Sequence, residues 1–199
     1  VNINYRYVTE ELRYLLVDSG CVALVCNEQF VPRVADVAPA VPALRHTIVV
    51  ADRRGTPAEL GDTGVPDPAE YESVLSAASP ERPAVPERGD DDLYLLYTGG
   101  TTGMPKGVVW RHEDVFYALG GGVDAYTNER ITHGHQLAEK AAATETPMVS
   151  LNIPPLMHGA AQWGALRFLF EGGTVVFVPR FSAEAVWSLV ESAGVNTMM

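Results

Sequence analysis

Residues 97–107 read Tyr97-Thr98-Gly99-Gly100-Thr101-Thr102-Gly103-Met104-Pro105-Lys106-Gly107, the run best suited to chemistry in this chain. Gly99, Gly100 and Gly103 remove Cβ atoms, so backbone N–H groups can come close to an anion. Thr98, Thr101 and Thr102 offer hydroxyl donors to phosphate oxygens. Lys106 adds a compact positive charge, and the only other lysine is Lys140. The implied chemistry is the gripping of phosphate groups. Two commoner phosphate binders do not fit. A Walker-type loop needs Gly directly before its Lys and Ser or Thr directly after, where this chain has Pro105 and Gly107. No G-x-G-x-x-G dinucleotide fingerprint is present either. The competing reading is a glycine-rich surface hairpin.

Other reactive side chains make weaker patterns. Cys21 and Cys26 flank the apolar run Val22-Ala23-Leu24-Val25 and read as strand-edge core residues. A zinc site would need two more ligands nearby. His133-Gly134-His135 invites a metal reading, but no acid or third ligand adjoins it. His112 and His158 each sit where a helix should start. Both are open to a structural reading beside a functional one.

The phosphate-gripping run must be held by flanking elements. The pattern predicts a strand over 93–97 before it and a second over 108–110 after it, close enough for a hairpin-like return. In α/β sheets ligands gather beyond strand ends. Upstream, Thr9 is placed to cap a helix over 10–18 with Leu12, Leu15 and Leu16 on one face, ended by Gly20. Strands over 22–26 and 47–51 enclose a helix over 28–37. Residues 52–92, rich in Pro and Gly, read as a long surface connection interrupted by one short helix over 69–78. Downstream, a helix over 113–119 opens with Glu113 and Asp114. Residues 120–146 read as polar and irregular. A strand over 149–152, a helix over 158–170, a strand over 174–177 and a helix over 183–192 follow. The alternation predicts an α/β fold, a mainly parallel sheet flanked by helices.

The 199 residues are 47% hydrophobic and 20% charged, a normal globular balance. Lys+Arg total 14 against Asp+Glu 25, a formal charge of −11. That argues against nucleic acid and anionic membranes as partners, while backbone N–H groups can still bind a local anion. No stretch approaches the ~18 apolar residues of a membrane span. Cysteine usage fits a reducing compartment, and the expected location is cytoplasmic. The chain opens on Val1 and closes on Val195-Asn196-Thr197-Met198-Met199, which reads as a strand just begun. Both ends predict a piece of something longer.

The loop resembles the signature of the adenylate-forming (AMP-binding) superfamily, which holds acyl-CoA synthetases, peptide-synthetase adenylation domains and luciferases. Its usual form is Thr-Ser-Gly-Thr-Thr-Gly-x-Pro-Lys-Gly. Gly99 stands where Ser is commoner, which removes one hydroxyl donor. Val108-Val109-Trp110-Arg111-His112 resembles the strand and Thr-His pair that follow the loop in relatives. Pro154-Pro155-Leu156-Met157-His158-Gly159 resembles the family's Pro-x-x-His-x-x-Gly region, with Gly159 directly after His158 and Gly164 further on. Asn2-x-Asn4-Tyr5-Arg6-Tyr7, Phe170-Glu171-Gly172-Gly173 and Phe181-Ser182 also fit. The wording near the loop looks most like bacterial fatty-acyl and sterol-side-chain CoA synthetases.

The resemblance implies a portion of the large N-terminal domain: a helix–strand unit over 1–51, a connection over 52–92, then the loop and the start of the acyl-pocket unit over 93–199. It implies ATP-dependent activation of a carboxylic acid, expected to be fatty, to acyl-adenylate and then acyl-CoA. ATP, Mg²⁺ and CoA enter, and the partner is a small-molecule carboxylic acid. Thr98, Gly99, Gly100, Thr101, Thr102, Gly103 and Lys106 would hold the β- and γ-phosphates, Lys106 also stabilising charge. His158 would line the carboxylate end of the acyl pocket, shaped by Gly159, Ala160, Ala161 and Trp163. A buried helix-capping histidine is the alternative for His158. The family's Thr-Glu pair that holds Mg²⁺, its ribose-binding aspartate and its C-terminal catalytic lysine find no match here, so residues 1–199 alone are expected to be inactive. The other readings are an amino- or aryl-acid adenylation domain and a non-catalytic nucleotide-binding module.

Overall fold

A computed structural model describes residues 1–52, 58, 60–84, 88–99, 103–124, 127–178 and 180–199. These form two compact units: Val1, Ile3–Arg88 and Tyr97–Gly107 in one, and Asn2, Gly89–Leu96 and Val108–Met199 in the other. The architecture is α/β, with parallel sheets and flanking helices.

In the first unit α1 (Thr9–Asp18) buries Leu12, Leu15 and Leu16. At roughly 1.5–3 kcal/mol for each buried leucine, this face anchors the helix. Val8, not Thr9, stands at its N-cap, and the Val8 N–H donates to Glu11 Oε2 at 3.0 Å. The helix starts one residue early because Glu11 supplies the acceptor that Thr9 was expected to supply. Gly20, at φ +62°, ends it. The expected helix over 28–37 divides into a 3₁₀ turn, Glu28–Phe30, and α2 (Val31–Val37), with Pro32 in its first turn. Val31, Val34 and Val37 face inward, and α2 packs on α1.

Strands β1 (Ala23–Asn27), β2 (His46–Val50) and β3 (Pro68–Glu70) make a parallel sheet in the order β1-β2-β3. Leu24 pairs with Thr47, and Thr47 with Pro68. β3 is a strand beyond the one short helix expected within residues 52–92. Pro68 begins the strand, where a missing N–H is tolerated. Glu70 then caps α3 (Tyr71–Ala77) by accepting the Ser73 N–H at 2.7 Å.

β4 (Leu93–Thr98) and β5 (Lys106–Arg111) pair as a two-stranded sheet around the loop. In the second unit α4 (His112–Leu119) follows. The span read as irregular holds α5 (His135–Ala143), with Leu137 buried. Its Ala-Glu-Lys-Ala-Ala-Ala stretch has high helix propensity, and Gln136 Oε1 accepts the N–H groups of Thr132 and His133 at 2.5 and 3.2 Å. Then come β6 (Val149–Asn152), α6 (Gly159–Phe170), β7 (Thr174–Phe177), α7 (Ala183–Ser192) and β8 (Thr197–Met198). β6 lies between β7 and β8, parallel to both. Among the described residues no helix is long and apolar enough to cross a membrane.

Candidate phosphate-binding and acyl-pocket site

The loop's two stems belong to the first unit. Thr98 ends β4 and Lys106 begins β5, and the Thr98 hydroxyl donates to the Lys106 carbonyl at 3.4 Å. Thr98, Gly99, Gly103 and Lys106 are all exposed. A Cβ on Gly99 or Gly103 would meet nothing within 4 Å, so the backbone there is open to a ligand. Gly103 has φ +114°, a conformation that side-chain-bearing residues rarely adopt. Pro105 is buried and roots the loop. Gly100, Thr101 and Thr102 lie outside the described residues.

The two lysines differ. Lys140 is held by Asp124 at 2.5 Å. Lys106 is exposed and makes no ion pair with any described residue. Exposed backbone donors and an unpaired cation are what an oxyanion-rich ligand requires.

Beneath the loop lies a contact that sequence reasoning missed. Tyr97 is 6% exposed, and its hydroxyl donates to Asp18 Oδ2 at 2.6 Å. Burial, followed by the bond to Asp18 and its charge, pushes the phenol well above its ordinary range. The ring lies over Gly107, where a Cβ would fall 3.0 Å from Cζ. The one sequence signal was an aromatic residue directly flanking a glycine-rich run.

In the second unit the structure separates the residues expected at the acyl pocket. His158 is exposed at the N-cap position of α6 and makes no side-chain cap bond. This corrects the buried-cap alternative: the helix starts at Gly159, and the His158 N–H bonds to Pro155 O at 3.0 Å instead. Ala160 is exposed, whereas Ala161 is fully buried. Gly159 and Trp163 do come together. A Cβ on Gly159 would lie 2.6 Å from Leu96 Cδ2 and 3.3 Å from the Trp163 ring. Trp163 meets Trp110 edge-to-face, with centroids 6.1 Å apart. Among the described residues the buried indole nitrogen of Trp110 has no hydrogen-bond partner.

Two buried amides were also missed. Gln162 donates to Leu156 O at 2.7 Å and accepts the Tyr94 hydroxyl. Asn152 donates to Ala161 O at 2.9 Å, tying β6 to α6. Burial raises the Tyr94 phenol. Neither amide stands out in sequence, because an isolated Asn or Gln carries no motif.

Arg111 closes β5 with Asp91 at 2.6 Å, Glu113 at 3.1 Å and Asp114 at 3.5 Å. The bond to Asp91 holds its guanidinium further up. His112 is the first residue of α4 and is exposed. His133 and His135 have ring centroids 6.1 Å apart. Among the described residues no group of three His, Cys, Asp or Glu could hold a metal. Burial raises both thiols, of Cys21 and of Cys26, so neither is a ready thiolate.

A model of the AMP-binding enzyme family matches residues 1–199. The chain is 44% identical over 199 residues to the 3-oxocholest-4-en-26-oate–CoA ligase of Rhodococcus rhodochrous, covering 100% of this chain and 34% of that protein. It is 46% identical over 198 residues to the medium/long-chain-fatty-acid–CoA/3-oxocholest-4-en-26-oate–CoA ligase of Mycolicibacterium smegmatis, covering 100% and 35%. Among solved structures, the inhibitor-bound N-terminal domain of FACL13 from Mycobacterium tuberculosis superposes with a TM-score of 0.63 at 28% identity, over 97% of this chain and 41% of that one. The chain thus spans about a third of the length of the curated relatives it matches.

Proposed function

The chain belongs to the AMP-binding enzyme family, and from that premise we propose that it is the phosphate-gripping part of an ATP-dependent acyl-CoA ligase. A carboxylate is a poor acyl donor because its oxide is a poor leaving group. Attack of the carboxylate on the α-phosphorus of ATP forms an acyl-adenylate and expels pyrophosphate. The thiol of CoA then attacks the acyl carbon, and AMP leaves with the bonding electrons. The first step needs charge stabilisation around the phosphates and a held carboxylate, and the second a held acyl-adenylate.

The observation that carries this reading is the loop. Gly99 and Gly103 leave open backbone, and Lys106 stands exposed with no ion pair to a described residue. Thr98, Gly99, Gly100, Thr101, Thr102, Gly103 and Lys106 would hold the β- and γ-phosphates and orient pyrophosphate as it departs. Mg²⁺ would share the phosphate charge. The described residues offer it no ligand cluster.

Gly159 and Trp163 mark the wall of the acyl pocket in this reading, with His158 and Ala160 at its exposed edge. The names of the two relatives favour a fatty or steroid-side-chain acid over an amino acid. The enzyme would work in the cytoplasm on a small-molecule acid, without nucleic acid.

The test is acid-dependent ATP–pyrophosphate exchange by the protein carrying residues 1–199, in the wild type and as Lys106→Ala with Thr102→Ala. Removing single charge-stabilising donors elsewhere costs roughly 10²–10³ in rate. A loss of that order with an unchanged unfolding midpoint is expected. Exchange at the wild-type rate removes the loop from the mechanism.

A further inference from the structure

We propose that Tyr97 and Asp18 are positioning residues that fix the two stems of the phosphate loop to the C-terminal end of α1. The proposal deepens the functional reading above and rests on it for the identity of the ligand.

Asp18 is the last residue of α1. A carboxylate at a helix C-terminus faces the negative end of the helix dipole, so it gains nothing from the helix itself. Its recorded partner is the Tyr97 hydroxyl at 2.6 Å, a charge-assisted bond. The helix that presents Asp18 is anchored by Leu15 and Leu16, which are fully buried.

Tyr97 transmits that fixity to both stems. It directly precedes Thr98, so its position sets where the first stem leaves the strand. Its ring also presses on the second stem: a Cβ at Gly107 would lie 3.0 Å from Tyr97 Cζ and 3.3 Å from Cε2 and Oη. Gly107 directly follows Lys106. One aromatic residue thus precedes the loop's first threonine and packs its ring on the residue after the loop's lysine. With the phenol tied down, neither stem can rotate freely, and Lys106 is held at a fixed distance from Thr98. Small displacements of positioning groups cost catalysis steeply, so the tie acts on nucleotide binding without touching the nucleotide.

The experiment compares Tyr97→Phe and Asp18→Ala with Asp18→Asn, whose amide oxygen can still accept the phenol. All are made in the protein carrying residues 1–199. Amide hydrogen exchange is read first, without substrate. Tyr97→Phe and Asp18→Ala should speed exchange across residues 98–107 about tenfold, the lower end for losing one hydrogen bond to a charged group. Exchange in β6 should not move, and Asp18→Asn should recover most of the protection. The same two variants should then raise the KM for ATP about tenfold while leaving that for the acid unchanged. Unaltered exchange over 98–107, or equal acceleration everywhere, overturns the tie. Faster loop exchange with an unmoved KM for ATP overturns its role in positioning. The exchange measurement needs no turnover. A wild-type protein that fails to exchange pyrophosphate therefore overturns the functional reading, while the tie stands or falls by its own readout.

Discussion

Gly107→Ala tests the packing beneath the loop directly. The new methyl would sit 3.0 Å from Tyr97 Cζ and 3.3 Å from Cε2 and Oη. Real Cβ contacts are rarely that close, so the ring or the strand must shift. The ring is 6% exposed and its hydroxyl is bound to Asp18, so it has little room to yield. Overpacking of this kind costs about 1–3 kcal/mol. Against it stands the roughly 0.4–1 kcal/mol that Gly→Ala gains by restricting the unfolded chain. The net expectation is a loss of about 1–2 kcal/mol. With an m-value near 2 kcal/mol/M, the urea midpoint should fall by roughly 0.5–1 M. The clash involves the far end of the ring, so Tyr97→Leu should relieve it. A double-mutant cycle should return a coupling of about 1 kcal/mol. A Gly107→Ala protein as stable as wild type would refute the argument. So would strict additivity with Tyr97→Leu, because the cost would then come from somewhere other than the ring.

Two other glycines should behave in opposite ways. At Gly173 a Cβ would lie 2.8 Å from the Met148 carbonyl oxygen and 3.0 Å from that of Phe168, which are backbone atoms that cannot step aside. Gly173→Ala should therefore cost about 1–3 kcal/mol by urea unfolding. At Gly164 the clash is with the Met199 thioether end, at its Cε and Sδ. That flexible side chain can swing away, and Gly164→Ala should cost under about 1 kcal/mol. Alkaline stability should report on Tyr97. Its folded value is raised above 10.0, so the folded chain keeps a proton that the unfolded chain releases. The contribution is complete below pH 10 and is lost as pH rises towards the folded value. Urea midpoints measured from pH 8 upward should fall less steeply above pH 10 in Tyr97→Phe than in wild type, and parallel curves would contradict the raised phenol.

Sequence alone determined whatever is written in local pattern. Leu12, Leu15 and Leu16 recur at helical spacing, and α1 buries all three. β6, β7 and α7 lie where hydrophobic runs and turn residues place them, with Val149–Asn152 and Thr174–Phe177 matching the expected bounds. The glycines, threonines and lysine proposed to grip phosphate stand out by type and order, because backbone approach to an anion would need such residues in one short segment. Only the tertiary structure decided what depends on distant partners. Pro68–Glu70 becomes a strand because β2 offers it an edge, a gain no local propensity records. His158 is exposed rather than buried, and α6 begins after it at Gly159, where Leu96 leaves no room for a side chain. Asp18 and Tyr97 are 79 positions apart. Their bond exists only once α1 has buried its leucines and the chain has returned as β4, so nothing in either neighbourhood could have foretold it.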